Sequence, residues 1–187
     1  MTVDATARGR RLWDRMAPRY DRDMRRLEPL LFGRDARPWV CAQASGDVLD
    51  VAIGTGLNLP HYPPGTRLTG VDLSPVMLAA AATRAADLGL SVDLSEATAE
   101  HLPIADASFD TVVCTLSLCS VTDDRAAIAE MHRVLRPAGS SCCWTTSPPP
   151  TGFCLCYNGC GRRSPCASPG TTRPVTRCRW SHRPASS

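Results

Sequence analysis

Val48-Leu49-Asp50-Val51-Ala52-Ile53-Gly54-Thr55-Gly56 decides the fold. Its apolar residues make a short buried strand, and the run then turns through Gly54 and Gly56 into a helical pattern. Glycine at those two places lets the backbone approach a ligand where a Cβ would clash. Asp50 stands just before the glycines, where the pyrophosphate of a dinucleotide would otherwise lie, so a cationic or hydroxylated ligand fits better. The dinucleotide fingerprint G-x-G-x-x-G needs a third glycine three residues after Gly56, and Leu59 occupies that position. The dinucleotide reading fails there.

Working outward, strands and helices alternate. Between Arg8 and Gly33, Trp13, Met16, Tyr20, Met24, Leu27 and Leu31 recur every three or four positions, which predicts an amphipathic helical region interrupted near Pro18. After the strand at 48–53, 57–62 reads as a short helix and 67–72 as a second strand. Ser74-Pro75 then caps a helix reaching about Leu88, with proline in its first turn. Residues 90–94 alternate like a third strand, 109–116 like a fourth, and 123–135 is a helix that ends at Pro137-Ala138-Gly139. Such alternation predicts an α/β fold with a Rossmann-like, doubly wound parallel sheet. Its ligand belongs beyond the carboxyl ends of the strands, where Asp50, Asp72 and Cys114 fall.

Composition breaks near residue 140. Residues 1–139 hold 15 of the 21 arginines and all 18 acids, a formal −3, whereas 140–187 hold six arginines and no acid. The overall +3 therefore belongs to the last segment and gives no ground for nucleic-acid binding by the domain. Cys41, Cys114 and Cys119 lie in the first part, and Cys142, Cys143, Cys154, Cys156, Cys160, Cys166 and Cys178 in the second. Cys154, Cys156 and Cys160 match zinc-ligand spacing only loosely, and no metal is expected. No run approaches the about 20 apolar residues of a membrane span, and MTVDATARGRRLWDR lacks the apolar core of a signal peptide. A cytoplasmic location is expected.

Five motifs carry a family resemblance: WDRMAPRYD at 13–21, VLDVAIGTG at 48–56, GVDLS at 70–74, ATAEHLPIADASFD at 97–110 and HRVLRPAG at 132–139. In this order and at this spacing, residues 10–139 resemble the class I S-adenosylmethionine-dependent methyltransferases. The likeness is to the type 11 branch, which includes quinone-biosynthesis and phospholipid methyltransferases. The resemblance implies S-adenosylmethionine as cofactor and a small-molecule or lipid-like acceptor, with no nucleic-acid partner. It implies a cofactor site made from Tyr20, Asp50, Ala52, Gly54, Gly56, Asp72, Leu73, Thr98, Ala99, Glu100, Cys114 and Thr115. Asp50 and the Gly54–Gly56 turn would take the amino-acid end and Asp72 the ribose hydroxyls. Thr98, Ala99 and Glu100 would lie near the adenine, and Tyr20 would fold over the cofactor. Ala52 stands where the family more often has glycine, and Thr98 where it usually has an acid.

No catalytic base is assigned among His61, His101 and His132. Eight of the first 26 residues are arginines, interleaved with Trp13, Met16, Tyr20 and Met24. They make either a solvated face on a lid helix or a surface for peripheral contact with anionic lipid. The implied organisation is an N-terminal helical lid at 1–36, a cofactor-binding Rossmann-like domain at 37–146 and a disordered Pro/Cys/Arg-rich tail at 147–187.

After Gly139 the family continues with a leucine-rich fifth strand and the region that builds much of the acceptor pocket. Here Ser140-Ser141-Cys142-Cys143-Trp144-Thr145 follows, without periodicity and with many prolines beyond. The genetic code offers a reason. In the frame joining the last base of each codon to the first two of the next, Cys142–Thr145 must read Leu-Leu-Asp, as a fifth strand would. Residues 153–161 likewise permit Leu-Ser-Val-Leu-Gln-Arg-Leu-Trp, a helix start. A frame-shifted ending from about Ser140 is therefore expected, with the sheet truncated after the fourth or fifth strand and an apolar edge left on the fourth.

Overall fold

The computed structural model describes residues 3–32, 36–145 and 153–158, with side-chain environments over 5–30 and 37–137. Helix α1 (Val3–Phe32) is followed by the short α2 (Ala36–Cys41) and strand β1 (Asp47–Val51). A 3-10 turn (Leu59–His61), β2 (Arg67–Asp72), α3 (Pro75–Asp87) and β3 (Val92–Glu96) come next. β4 (Phe109–Thr115), α4 (Asp124–Val134), β5 (Leu135–Thr145) and β6 (Phe153–Asn158) complete the described elements.

The sheet order is β3-β2-β1-β4-β5-β6. The first five strands are parallel, and β6 is antiparallel to β5. This is the doubly wound, Rossmann-like arrangement that the alternation predicts, with the strand order reversing at β1.

Alternating residues divide the core into two layers. Leu49, Val51 and Val112 pack with Ala127, Met131 and Val134 of α4 on one face. Val48 and Val113 pack with Val40, Leu59 and Ala85 on the other. α3 contributes Met77, Ala81 and Ala85, a stripe at every fourth residue. Its start is set as predicted: Ser74 Oγ accepts from Met77 N at 3.1 Å, and Pro75 occupies the first turn. Asp123 caps α4 in the same way, accepting from the N–H groups of Arg125 and Ala126.

Three expectations need correction. α1 runs through Pro18 without interruption. Pro18 is on the exposed side, where water can satisfy the carbonyl that its missing N–H leaves unbonded. The third strand lies two residues later than expected, at Val92–Glu96.

The largest correction concerns the break near 140. The parallel part of the sheet ends at its fifth strand, within the expected range, but the chain then adds an antiparallel strand: Ser140–Trp144 pairs with β4, and Ser140–Thr145 pairs with β6. The edge expected on the fourth strand is thus covered. Backbone pairing is driven by the unpaired N–H and C=O groups of β4 and needs no hydrophobic periodicity in its partner. Pro137 falls where the register slips between the Phe109 and Thr111 pairs, a place where a missing donor is tolerated. Of the tail expected at 147–187, residues 153–158 are strand, and the rest lies outside the described residues. Cys160 and the side chains of Cys154 and Cys156 also lie outside them. No helix among the described residues is long and apolar enough to cross a membrane.

Candidate functional site

A partly open cavity lies at the carboxyl ends of β1, β2 and β4. Ala52 and Gly54 from the first turn, Asp72 and Leu73 from the end of β2, and Thr98, Ala99 and Glu100 after β3 all line it. α1 supplies Ala5, Thr6, Gly9, Trp13 and Tyr20. Met77 and the segment Leu116–Thr122 were not anticipated; Leu116, Ser117, Ser120, Val121 and Thr122 of that segment line the cavity. The strand-end rule was the available signal, since this segment directly follows β4.

α1 is held over these strand ends by a row of polar contacts. Arg10 pairs with Glu96 at 2.7 Å, and Asp14 accepts from Ser74 Oγ at 2.5 Å. Asp21 accepts from Thr55 Oγ1 at 2.5 Å and pairs with Arg84. Trp13 and Tyr20 meet edge to face, with centroids 6.2 Å apart. Burial pushes the Tyr20 hydroxyl pKa up, with nearby Arg37 acting against it. Tyr20 is therefore a neutral phenol in the wall.

Asp72 organises the floor. Its Oδ2 accepts from Gly54 N at 2.8 Å and its Oδ1 from Ser74 N at 2.9 Å. Burial raises its pKa, and these two backbone donors oppose the rise. One carboxylate thus joins the glycine turn to the start of α3 while facing the cavity.

The two glycines of the turn do different jobs. Gly54 has φ +59°, and a Cβ there would enter the space between the turn and Tyr20, whose Cε1 would lie 3.9 Å away. Gly56 has φ +79° and does not line the cavity. A Cβ there would stand 2.8 Å from Leu59 Cδ1 and 3.3 Å from the Ala81 backbone, so its role is close packing of the turn against α3. Gly56→Ala is expected to cost about 1–3 kcal/mol, measured by urea unfolding, from the left-handed backbone and this overpacking.

Two non-glycine residues of the wall, Ala52 (φ 56°) and Leu116 (φ 56°), also adopt the left-handed conformation. This explains why glycine suits the Ala52 position, and it places backbone strain at the cavity.

Asp50, Gly56, Cys114 and Thr115 do not line the cavity. Asp50 lies behind the wall, 2% exposed, with Oδ2 accepting from Asn58 Nδ2 at 2.9 Å and Tyr62 Oη at 2.8 Å. Its Oδ1 is buried and has no hydrogen-bond partner among the described residues. Burial pushes the carboxyl up to about 6, against the pull of Asn58, Tyr62 and the Arg37 charge.

The neighbouring network escaped the sequence reading. Arg37, 7% exposed, makes a two-pronged pair with Glu28 at 2.8 and 2.9 Å. It also donates to Asn58 at 2.5 Å and Thr115 at 3.2 Å. Burial works against the Arg37 charge, but Glu28 outweighs it and raises the pKa. Thr115 therefore belongs to this buried network rather than to the cavity. His61, His101 and His132 do not line the cavity either.

Comparisons with known proteins agree with the family that the motifs suggest. Residues 49–143 match the family model described as "Methyltransferase domain". The chain is 38% identical over 157 residues to a demethylmenaquinone methyltransferase of Thermus thermophilus, covering 78% of this chain and 70% of that protein. It is 38% identical over 96 residues to a phosphatidylethanolamine N-methyltransferase of Cereibacter sphaeroides, covering 50% and 47%. A solved S-adenosylmethionine-dependent methyltransferase of Thermotoga maritima superposes with a TM-score of 0.58 at 25% identity, covering 73% of this chain and 61% of that one. Several other curated relatives are spanned over 34–60% of their length. The chain belongs to the methyltransferase-domain family, in the type 11 branch of the class I S-adenosylmethionine-dependent methyltransferases.

Proposed function

We propose that the cavity holds S-adenosylmethionine and that the protein transfers its methyl group to a small or lipid-like acceptor. The observation that carries this reading is the convergence of Asp72, the Gly54 backbone and Thr98–Glu100 on one cavity at the strand ends. Two further features fit the group. Gly54 leaves open a space that a Cβ would fill, and Asp50 holds a buried oxygen behind the same turn that has no hydrogen-bond partner among the described residues. In this assignment Asp72 accepts from the ribose hydroxyls, and backbone groups of Thr98, Ala99 and Glu100 read the adenine edge. Ala52, Gly54 and Leu73 contact the bound group through backbone and small or apolar surface. Asp50 sets a negative charge toward the ammonium end from one layer back. Gly56 and Thr115 support this arrangement by packing and hydrogen bonding, and Cys114 lies buried in the β4 layer of the core.

The bound sulfonium supplies an activated methyl group, so the protein's tasks are alignment and exclusion of water. Trp13 and Tyr20 perform the second task from the roof. Among cavity residues only Tyr20, Asp72 and Glu100 carry titratable side chains. Glu100 is tied to the backbone N–H of Thr122 at 2.8 Å. No residue is assigned as a base. An acceptor whose proton can pass to solvent, such as the free-base fraction of an amine before attack or an electron-rich quinol ring after it, suits this wall.

The names of the relatives indicate two acceptor classes to test. The protein is incubated with methyl-labelled cofactor and either a demethylated quinol or phosphatidylethanolamine. Label in one product supports transfer and identifies its class. Binding of the cofactor without label in any acceptor supports a second reading, a cofactor-binding domain without an acceptor pocket. One observation favours that reading: the family match ends at residue 143 while the chain continues with altered composition to 187. A frame shift near Ser140 accounts for this, and resequencing tests it. A shifted frame that meets an early stop, or that yields no strand and helix pattern, removes the idea.

A further inference from the structure

Beside the residues that line the cavity, α1 carries two exposed rows. Arg11, Arg15, Arg19, Arg22 and Arg26 recur at helical spacing and are all exposed. One position on from Arg11, Arg15 and Arg26, rotated by about 100°, lie Leu12, Met16 and Leu27, exposed by 51%, 38% and 46%, and Leu30, exposed by 83%, follows Leu27 by three residues. The helix is amphipathic a second time, on its outside.

The charges on this helix are sorted by side. Of its carboxylates with described side chains, Asp14, Asp21 and Glu28 bond inward to Ser74, Thr55 and Arg37. Asp23 remains outside, beside Arg22 at 3.4 Å. Arg11, Arg15, Arg19 and Arg26 have no carboxylate partner among the described residues. The exposed surface is therefore cationic along one line and, apart from Asp23, apolar along the next.

We infer that the outer face of α1 docks on an anionic lipid bilayer, with the arginine row at the headgroups and Leu12, Met16, Leu27 and Leu30 entering the acyl boundary. An interfacial helix needs this pairing of a basic stripe with an apolar one. A second copy of the chain would bring the same arginine row against itself, and like charges would oppose the contact. A nucleic acid would use the arginines but has no use for a leucine exposed by 83%. The inner face of α1 presents Gly9, Trp13 and Tyr20 to the cavity, so docking would set the cavity roof at the membrane surface. The significance for a lipid-like acceptor rests on the proposed function, but docking itself requires neither cofactor nor acceptor.

Flotation of the full chain tests this with phosphatidylcholine vesicles and with vesicles containing about 30% phosphatidylglycerol, a fraction chosen to give an anionic surface. The chain is expected to float with the anionic vesicles and not with the neutral ones, and salt should weaken the association. Arg15→Gln with Arg19→Gln is expected to reduce partitioning about thirty-fold. Leu12→Asp with Leu30→Asp is expected to reduce it at least about tenfold. These positions are exposed, so unchanged circular dichroism and unchanged cofactor binding separate a docking defect from a folding or cofactor defect. No flotation with anionic vesicles overturns the inference, as does flotation indifferent to the leucine pair. Retention on RNA without vesicle binding also overturns it.

Discussion

Asp72→Ala is expected to weaken S-adenosylmethionine binding by about a hundredfold or more, from the loss of at least two hydrogen bonds to a charged acceptor at about 1.5–3 kcal/mol each. The wild-type carboxylate is held by the N–H groups of Gly54 and Ser74, so it is aimed before any ligand arrives. Its elevated pKa comes mainly from burial, and a pair of hydroxyl donors would relieve that cost. Asp72→Asn provides the finer comparison, because it keeps the shape and one accepting oxygen. It should bind more weakly than wild type and more tightly than the alanine variant. Isothermal titration reads both. An alanine variant that folds and retains wild-type affinity would remove the ribose assignment.

Asp50→Asn is expected to stabilise the ligand-free protein by up to about 3 kcal/mol above pH 6, while weakening cofactor binding. The sign follows from where the proton leaves first. The unfolded chain releases it near 3.8, whereas the folded protein holds it to about 6. Below 3.8 both states are protonated, and burial of the neutral acid carries no charge penalty. As pH rises between these values the unfolded state is favoured, and stability is lost until the folded group has also ionised. Asparagine has no such transition.

The stability difference between variant and wild type should therefore be small near pH 4, grow toward pH 6 and then level off. Urea unfolding across that range measures it. A variant less stable than wild type at pH 7 would show that Asn58, Tyr62 and Arg37 already compensate the charge. The predicted exchange of stability for affinity is the pattern of a buried charge kept for a ligand.

The first part of the fold was legible because its signals are local. Val48–Ile53 is continuously apolar, Ser74-Pro75 marks a helix start, and Met77, Ala81 and Ala85 repeat at helical spacing. The place of Asp72 at the cavity was legible because it ends a strand of a doubly wound sheet. The Arg37 network was not legible. It joins Glu28, Asn58 and Thr115, up to 78 residues from Arg37, and nothing in a six-residue helix signals those partners. Asp50 was recognised as important, but its place behind the wall depends on Asn58 and Tyr62 reaching back from the following turn. β6 was missed, and β5 was left open, for a different reason. Their pairing follows from the backbone demand of β4, while the side-chain pattern of 140–158 points away from regular structure.

Titration of S-adenosylmethionine into the folded wild-type chain, with the Asp72→Ala variant alongside, is the most direct measurement. One-to-one saturable heat for the wild type, a rise in its melting temperature with ligand and neither effect in the variant are the results expected. A folded wild-type protein that gives no heat and no thermal shift would contradict the assignment of the cavity between α1, the Gly54 turn and Asp72 as a cofactor site.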